Sequence, residues 1–300
     1  MLFSTRYSTF LLLALFAIAT AAYRINMHTP EMNIKQSPND QREYRSLVLE
    51  NGLKVLLVSD SEADKAAASL AVNVGSGDDP KGRQGLAHFL EHMLFLGTKP
   101  FPEAGEYQSY ISKHGGSHNA FTAHDVTNYF FEIDNDDLAG ALDRFAPFFI
   151  SPTFNEVYVE REKNAVNAEY TAKSKDDGRR IFSAEKQAMN PNHPYSQFAT
   201  GSLVTLEDRP DSLIRDELIE FYQQHYSANE MTLAIIGNYE LDTLEQWTQD
   251  RFSAIPKRQT AEKPKRPELY LADQLPLDLQ IEPVKEIRQL KLAFPMPESM

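Results

Sequence analysis

Three hundred residues, 42% of them hydrophobic, are enough to bury a sizeable core, which excludes disorder along the whole chain. Lys and Arg number 30 against 43 Asp and Glu, and this net −13 disfavours sequence-independent nucleic-acid binding. Cysteine is absent, so disulfides, thiolate nucleophiles, iron–sulfur clusters and Cys-based zinc sites are excluded, and any metal must be held by His, Asp or Glu.

Residues 1–21 read as a cleavable secretory leader: Arg6 ahead of an apolar run from Phe10 to Ala19, then small residues with cleavage after Ala21. The run is too short for a membrane-crossing helix, which takes about twenty residues. The expected destination is the periplasm or the cell exterior, with no permanent membrane anchor. Residues 22–42, polar and carrying Pro30 and Pro38, read as an extended lead-in.

Two β-rich runs, Tyr44 to Leu49 and Leu53 to Ser59, flank Asn51-Gly52 and predict a hairpin. Ala67 to Val74 reads as a buried strand, and Gly75 to Lys81 as a turn region. Gln84 to Leu96 carries Leu86, Phe89, Leu90, Met93 and Leu94 at helical spacing. A second helix is predicted over Ala104 to Lys113, closed by Gly115-Gly116, then strands over Ser117 to Thr122 and Val126 to Ile133. Helical patterns follow at Asp137 to Phe149, Phe154 to Lys173 and Arg179 to Met189. Helix Ser212 to Tyr226, strand Met231 to Ile236 and helix Leu241 to Phe252 come next. Hairpins interleaved with helices predict an α+β fold, a mixed and largely antiparallel sheet covered by helices. Residues 256–285, rich in proline, read as an interdomain linker. The alternation of Leu290, Leu292 and Phe294 reads as the opening strand of a truncated second domain in 286–300. The principal domain is thus expected over 43–255.

His88-Phe89-Leu90-Glu91-His92 lies on the first predicted helix. At about 100° per residue, His88 and His92 differ by roughly 40°, and Glu91 projects from the same face. Two imidazoles one turn apart can grip one zinc ion, and the neighbouring carboxylate can take a proton from a water. Chance would supply such a pattern in this composition roughly 0.03 times. A third protein ligand must come from elsewhere. Glu162 and Glu169 share one stripe of the long helix with Val166 and are expected to face inward; from spacing alone Glu169 ranks only slightly above His118 or His124.

The order His-x-x-Glu-His is the inverzincin arrangement. Together with Gly85 to Phe95 and the segment Glu162 to Tyr170, it resembles the pitrilysin and insulin-degrading enzyme (insulinase) family of zinc metallopeptidases, over Tyr44 to Met300. That resemblance implies one Zn²⁺ per chain held by His88, His92 and Glu169, with Glu91 as catalytic base and Glu162 supporting the ligands from behind. It also implies that His118 to Thr122 forms an exposed edge strand pairing with peptide substrates through Asn119 and Ala120, by β-augmentation. His118 and His124 then revert to structural or substrate-side roles. The family's longer members carry four related domains in two halves, so a complementary second half is an expected partner. The rival expectation is a fragment that holds zinc and peptide without turnover. A core subunit of a respiratory or processing complex also suits the fold, but the intact ligand set and the leader weigh against it.

Overall fold

Asn51 closes the first hairpin from its own side chain, whose Oδ1 accepts the Leu53 N–H at 3.1 Å, while Gly52 takes the left-handed φ of +90° that the turn demands. The computed structural model describes residues 34–260 and 263–295; the leader-like residues 1–21 lie outside them. Strands β1 (Glu43–Val48) and β2 (Lys54–Ser59) form that hairpin, and β3 (Lys65–Val72) follows. Helices α1 (Leu86–Leu94) and α2 (Glu106–Lys113) lead to the antiparallel pair β4 (Ser117–Thr122) and β5 (Thr127–Asp134). Next come α3 (Leu138–Phe145), α4 (Glu156–Lys173), α5 (Asp177–Gln187), α6 (Ile214–His225), β6 (Met231–Gly237) and α7 (Leu241–Phe252).

One six-stranded sheet runs in the order β1-β2-β6-β3-β5-β4. Only the β2–β6 pairing is parallel. The fold is therefore the α+β arrangement that the strand and helix patterns predict. Strand parity sets which face is buried. Register places Val55, Leu233, Leu70, Tyr129 and Ala120 in one row, and Leu57, Ile235, Ala68, Phe131 and His118 in the next. Apart from Ala120 and His118 on the edge strand, these side chains are buried beneath the helices. The same parity turns Thr122 towards the helical layer and Asn119 and Phe121 away from it.

Among the described residues no helix is long and apolar enough to cross a membrane. The described residues of 257–295 contain a single short 3₁₀ turn, Ala272–Gln274, and are tied back to the domain. Asn190 Nδ2 donates to Glu268 O at 2.8 Å, and Asp177 accepts the Val284 and Lys285 N–H groups at 2.7 and 2.9 Å. The strand expected around Leu290, Leu292 and Phe294 does not form. These residues are 84%, 74% and 81% exposed in irregular chain, because alternation makes a strand only where another backbone edge accepts its hydrogen bonds.

Helix α1 starts at Leu86, two residues later than its apolar pattern suggests, because Gly85 turns into the left-handed region. Its orphan N–H groups are met by Asp79, whose Oδ2 accepts from Gly85 at 2.7 Å and whose Oδ1 accepts from Ala87 at 2.8 Å. Burial pushes the Asp79 carboxyl up to about 7 despite these bonds. A folded pKa above the unfolded one means that its contribution to stability is present in acid and lost as pH rises through about 7. Asp79→Ala is expected to lower the unfolding free energy by roughly 1–3 kcal/mol, more at pH 5 than at pH 8, as read by urea denaturation. An equal loss at both pH values would contradict the assigned linkage.

Candidate metal centre

The apolar side of α1 is fully engaged: Leu86, Phe89, Leu90, Met93 and Leu94 are each 0–1% exposed. Packing of that stripe against the sheet and α6 fixes the rotation of the helix and turns His88, Glu91 and His92 towards α4 and the edge strand β4. On α4, Val166 is fully buried and fixes the rotation that presents Glu162 and Glu169 to the two histidines. A cleft of about 620 Å³ opens here, with His118, Asn119, Ala120, Phe121 and Thr122 on one side and Glu169 and Lys173 on another.

His88, His92 and Glu169 each offer one ligand atom, and these atoms all lie within 4.8 Å of one another. Glu169 Oε2 is 3.9 Å from His88 Nε2, and Glu169 Oε1 is 3.6 Å from His92 Nε2. Donors around a tetrahedral zinc with bonds of about 2.0–2.1 Å sit roughly 3.3–3.5 Å apart. The two Glu169 contacts lie close to that spacing, on different oxygens, while the donor atoms of the triad spread over up to 4.8 Å, so a bound ion would draw the three side chains together; their nitrogen and carboxylate donors suit zinc chemically.

Each imidazole is aimed from behind. His88 Nδ1 donates to the Thr200 carbonyl at 2.7 Å, and His92 Nδ1 donates to Glu162 Oε2 at 3.4 Å, which leaves both Nε2 lone pairs facing Glu169. Burial and then the neighbouring His92 hold the His88 imidazole below its ordinary pKa. Burial acts the same way on His92, but the Glu162 hydrogen bond and the Glu91 and Glu169 charges outweigh it and lift the group above its ordinary value. Glu169 and Glu162 are both held below the usual carboxylate range; burial opposes this, but Lys173 and His88 prevail at Glu169, and His92 and Arg161 at Glu162.

Glu91 is 7% exposed and stands outside the donor triad of His88, His92 and Glu169. Thr122 Oγ1 donates to its Oε2 at 2.5 Å, a contact produced by the inward parity of β4. Burial raises the Glu91 carboxyl above the ordinary range, against that hydrogen bond. Asn119 and Ala120 lie on the outermost strand, as expected of an edge, and the Ala120 N–H donates to Asn119 Oδ1 at 2.9 Å. His118 lines the cleft beside Phe95 and Tyr107. His124 stacks instead with His193 and Tyr195, away from the triad.

Sequence patterns left Thr200 unmarked, because a backbone carbonyl has no residue signature. Its position depends on a close approach of two glycines: Cβ built on Gly85 would lie 2.2 Å from Gly201 Cα. The loop is clamped further along by Arg83, 1% exposed, which pairs with Glu217 through Nη2 at 2.6 Å and donates to the Glu207 carbonyl at 2.5 Å. Thr122 and Lys173 were also missed as partners of the charged groups. A Lys four residues after Glu169 is a readable helical spacing, whereas the Thr122 contact needs the sheet register.

The family described as "Insulinase (Peptidase family M16)" matches residues 54–199, and "Peptidase M16 inactive domain" matches residues 212–299. The chain is 44% identical over 276 residues to the A-factor-processing enzyme of Saccharomyces cerevisiae, covering 91% of this chain and 27% of that protein. It is 44% identical over 263 residues to the insulin-degrading enzyme of Homo sapiens, covering 86% and 26%. The crystal structure of pitrilysin superimposes with a TM-score of 0.79 at 40% identity, over 82% of this chain and 26% of that one. The chain thus spans about a quarter of the length of the curated relatives it matches.

Gly85 tests the close approach behind His88. Gly85→Ala adds a methyl group against Gly201 at a φ of +92°, and a loss of at least about 2 kcal/mol of unfolding free energy is expected. A urea midpoint equal to that of the parent chain would show that the two loops do not need this contact.

Proposed function

The chain belongs to the insulinase family of peptidases, M16, and from that premise we propose that it is the zinc-holding domain of a metalloendopeptidase acting on small or unfolded peptides. The observation that carries the reading is the convergence of His88, His92 and Glu169 from two helices beside a buried Glu91 and an open sheet edge. Zinc, when bound by these three side chains, supplies Lewis acidity towards a carbonyl oxygen and lowers the pKa of a water. Glu91 removes the proton of the attacking water. Its Oε2 is engaged by Thr122, so Oε1 carries that proton, and its raised pKa brings it closer to working pH. The proton then passes to the departing amine nitrogen.

Strand β4 supplies the substrate platform: an extended peptide adds to the free edge alongside Asn119 and Ala120, which places a main-chain carbonyl over the cleft. Such pairing reads backbone more than side chains, which suits peptides without stable structure. The rival reading is a unit that holds zinc and peptide without turnover. Mixing the chain with the separately expressed remainder of a relative separates the two: appearance of peptide cleavage supports the peptidase, and continued silence the binding unit.

Purified chain is expected to contain one zinc per molecule by elemental analysis, and His88→Ala to lose it. Glu91→Gln is expected to retain zinc while peptide cleavage falls by at least about 10²-fold in any preparation where the parent cleaves. Parent-like cleavage by Glu91→Gln would remove the assigned base, and absence of stoichiometric zinc in the parent would end the metallopeptidase reading.

The pH dependence of metal binding follows from His92. Zinc requires neutral imidazole, and the folded, metal-free His92 holds its proton more tightly than an ordinary histidine. Zinc affinity is therefore expected to begin falling while the pH is still above the ordinary histidine pKa of about 6.5, and to fall further in acid. Competition against a fluorescent chelator between pH 5.5 and 8 measures this, and a flat profile would count against it.

A further inference from the structure

We propose that Lys173 is the positioning residue for Glu169: its ammonium holds one carboxylate oxygen so that the other is presented to the metal. The inference rests on the zinc reading above. It starts from an asymmetry among the three ligands. His88 and His92 have side chains 15% and 19% exposed, and each is aimed by a partner on its far nitrogen, Thr200 O and Glu162. Glu169 is the looser member, 39% exposed, on the solvent side of the same cleft. Among the described residues, the hydrogen bond its side chain accepts comes from Lys173, at 3.0 Å onto Oε2.

Local geometry brings that ammonium within reach of Glu169. Lys173 is four residues after Glu169, the favourable order for an acid and a base on one helix face, and it is the last residue of α4, where a cation also meets the helix dipole. Oε2, which lies 3.9 Å from His88 Nε2, is the engaged oxygen, and Oε1 is left 3.6 Å from His92 Nε2. The pair thus gives Glu169 what Thr200 and Glu162 give the histidines, a fixed orientation before the metal arrives. It also sets two effects against each other. An ammonium beside the site repels a divalent cation, whereas an unrestrained glutamate must be immobilised when the ion binds. The proposal is that immobilisation dominates.

The test compares the parent chain with Lys173→Met, which keeps the length and apolar stem, and Lys173→Arg, which keeps the charge. Metal-free protein is titrated with Zn²⁺ alone against a fluorescent chelator, and the thermal midpoint of each metal-free variant is recorded. Lys173→Met is expected to bind zinc about 10–100-fold more weakly, with Lys173→Arg within about threefold of the parent and the metal-free midpoints within about 2 °C of one another. Equal or tighter zinc binding by Lys173→Met overturns the proposal, as does Lys173→Arg proving as weak as Lys173→Met. If the parent takes up no stoichiometric zinc, the metal reading fails with it. Stoichiometric zinc in the parent with an unmoved affinity in Lys173→Met overturns only the role of Lys173.

Discussion

An imidazole can present a lone pair in a chosen direction only if its other nitrogen is held, and the centre of this protein is organised around that requirement. The Thr200 carbonyl and the Glu162 carboxylate hold the Nδ1 atoms of His88 and His92, and the opposite nitrogens converge on Glu169. Much of the surrounding architecture serves these two bonds. The approach of Gly85 to Gly201 brings the loop carbonyl within reach, and buried Arg83 keeps that loop in place. Asp79 satisfies the first turn of α1, so the helix that carries both histidines begins at a fixed residue.

Charge is distributed around the cleft with the same economy. Three carboxylates, Glu91, Glu162 and Glu169, crowd two imidazoles in a half-buried space. Their environments separate them: burial lifts the Glu91 pKa, whereas His92 with Arg161 lowers that of Glu162 and Lys173 with His88 lowers that of Glu169. One residue type thus acquires a raised pKa at one position and lowered pKa values at two others through burial and neighbours alone.

The sheet contributes through parity. Because alternate residues of β4 face opposite ways, Thr122 reaches inward to Glu91, while Asn119 and Phe121 sit on the far face of a strand whose outer edge has no partner strand among the described residues. A shift of one residue in the β4–β5 register would withdraw Thr122 from Glu91 and reverse the face shown by every residue of the edge. Ala120 continues onto β4 the apolar row of Val55, Leu233, Leu70 and Tyr129, and His118 the row of Leu57, Ile235, Ala68 and Phe131, which ties the edge register to the core of the sheet.

The local periods of the chain determined its elements. Helical spacing marked α1 and α4, Asn51-Gly52 marked the first hairpin, and the same spacing placed His88, Glu91 and His92 on one face, because each of these relations spans only a turn or two of backbone. The stripe through Val166 also carried Glu162 and Glu169 to the correct side of their helix, although ranking Glu169 above the other candidates needed the likeness to known sequences. What joins distant segments was decided only by the tertiary structure: the Thr200 carbonyl behind His88, Thr122 on Glu91, Asp79 at the start of α1, and the place of β4 at the edge. The alternation at Leu290, Leu292 and Phe294 marks the same boundary from the other side. Side-chain periodicity is a property of one segment, whereas a strand, like a metal site, is completed by groups that another segment brings within bonding distance.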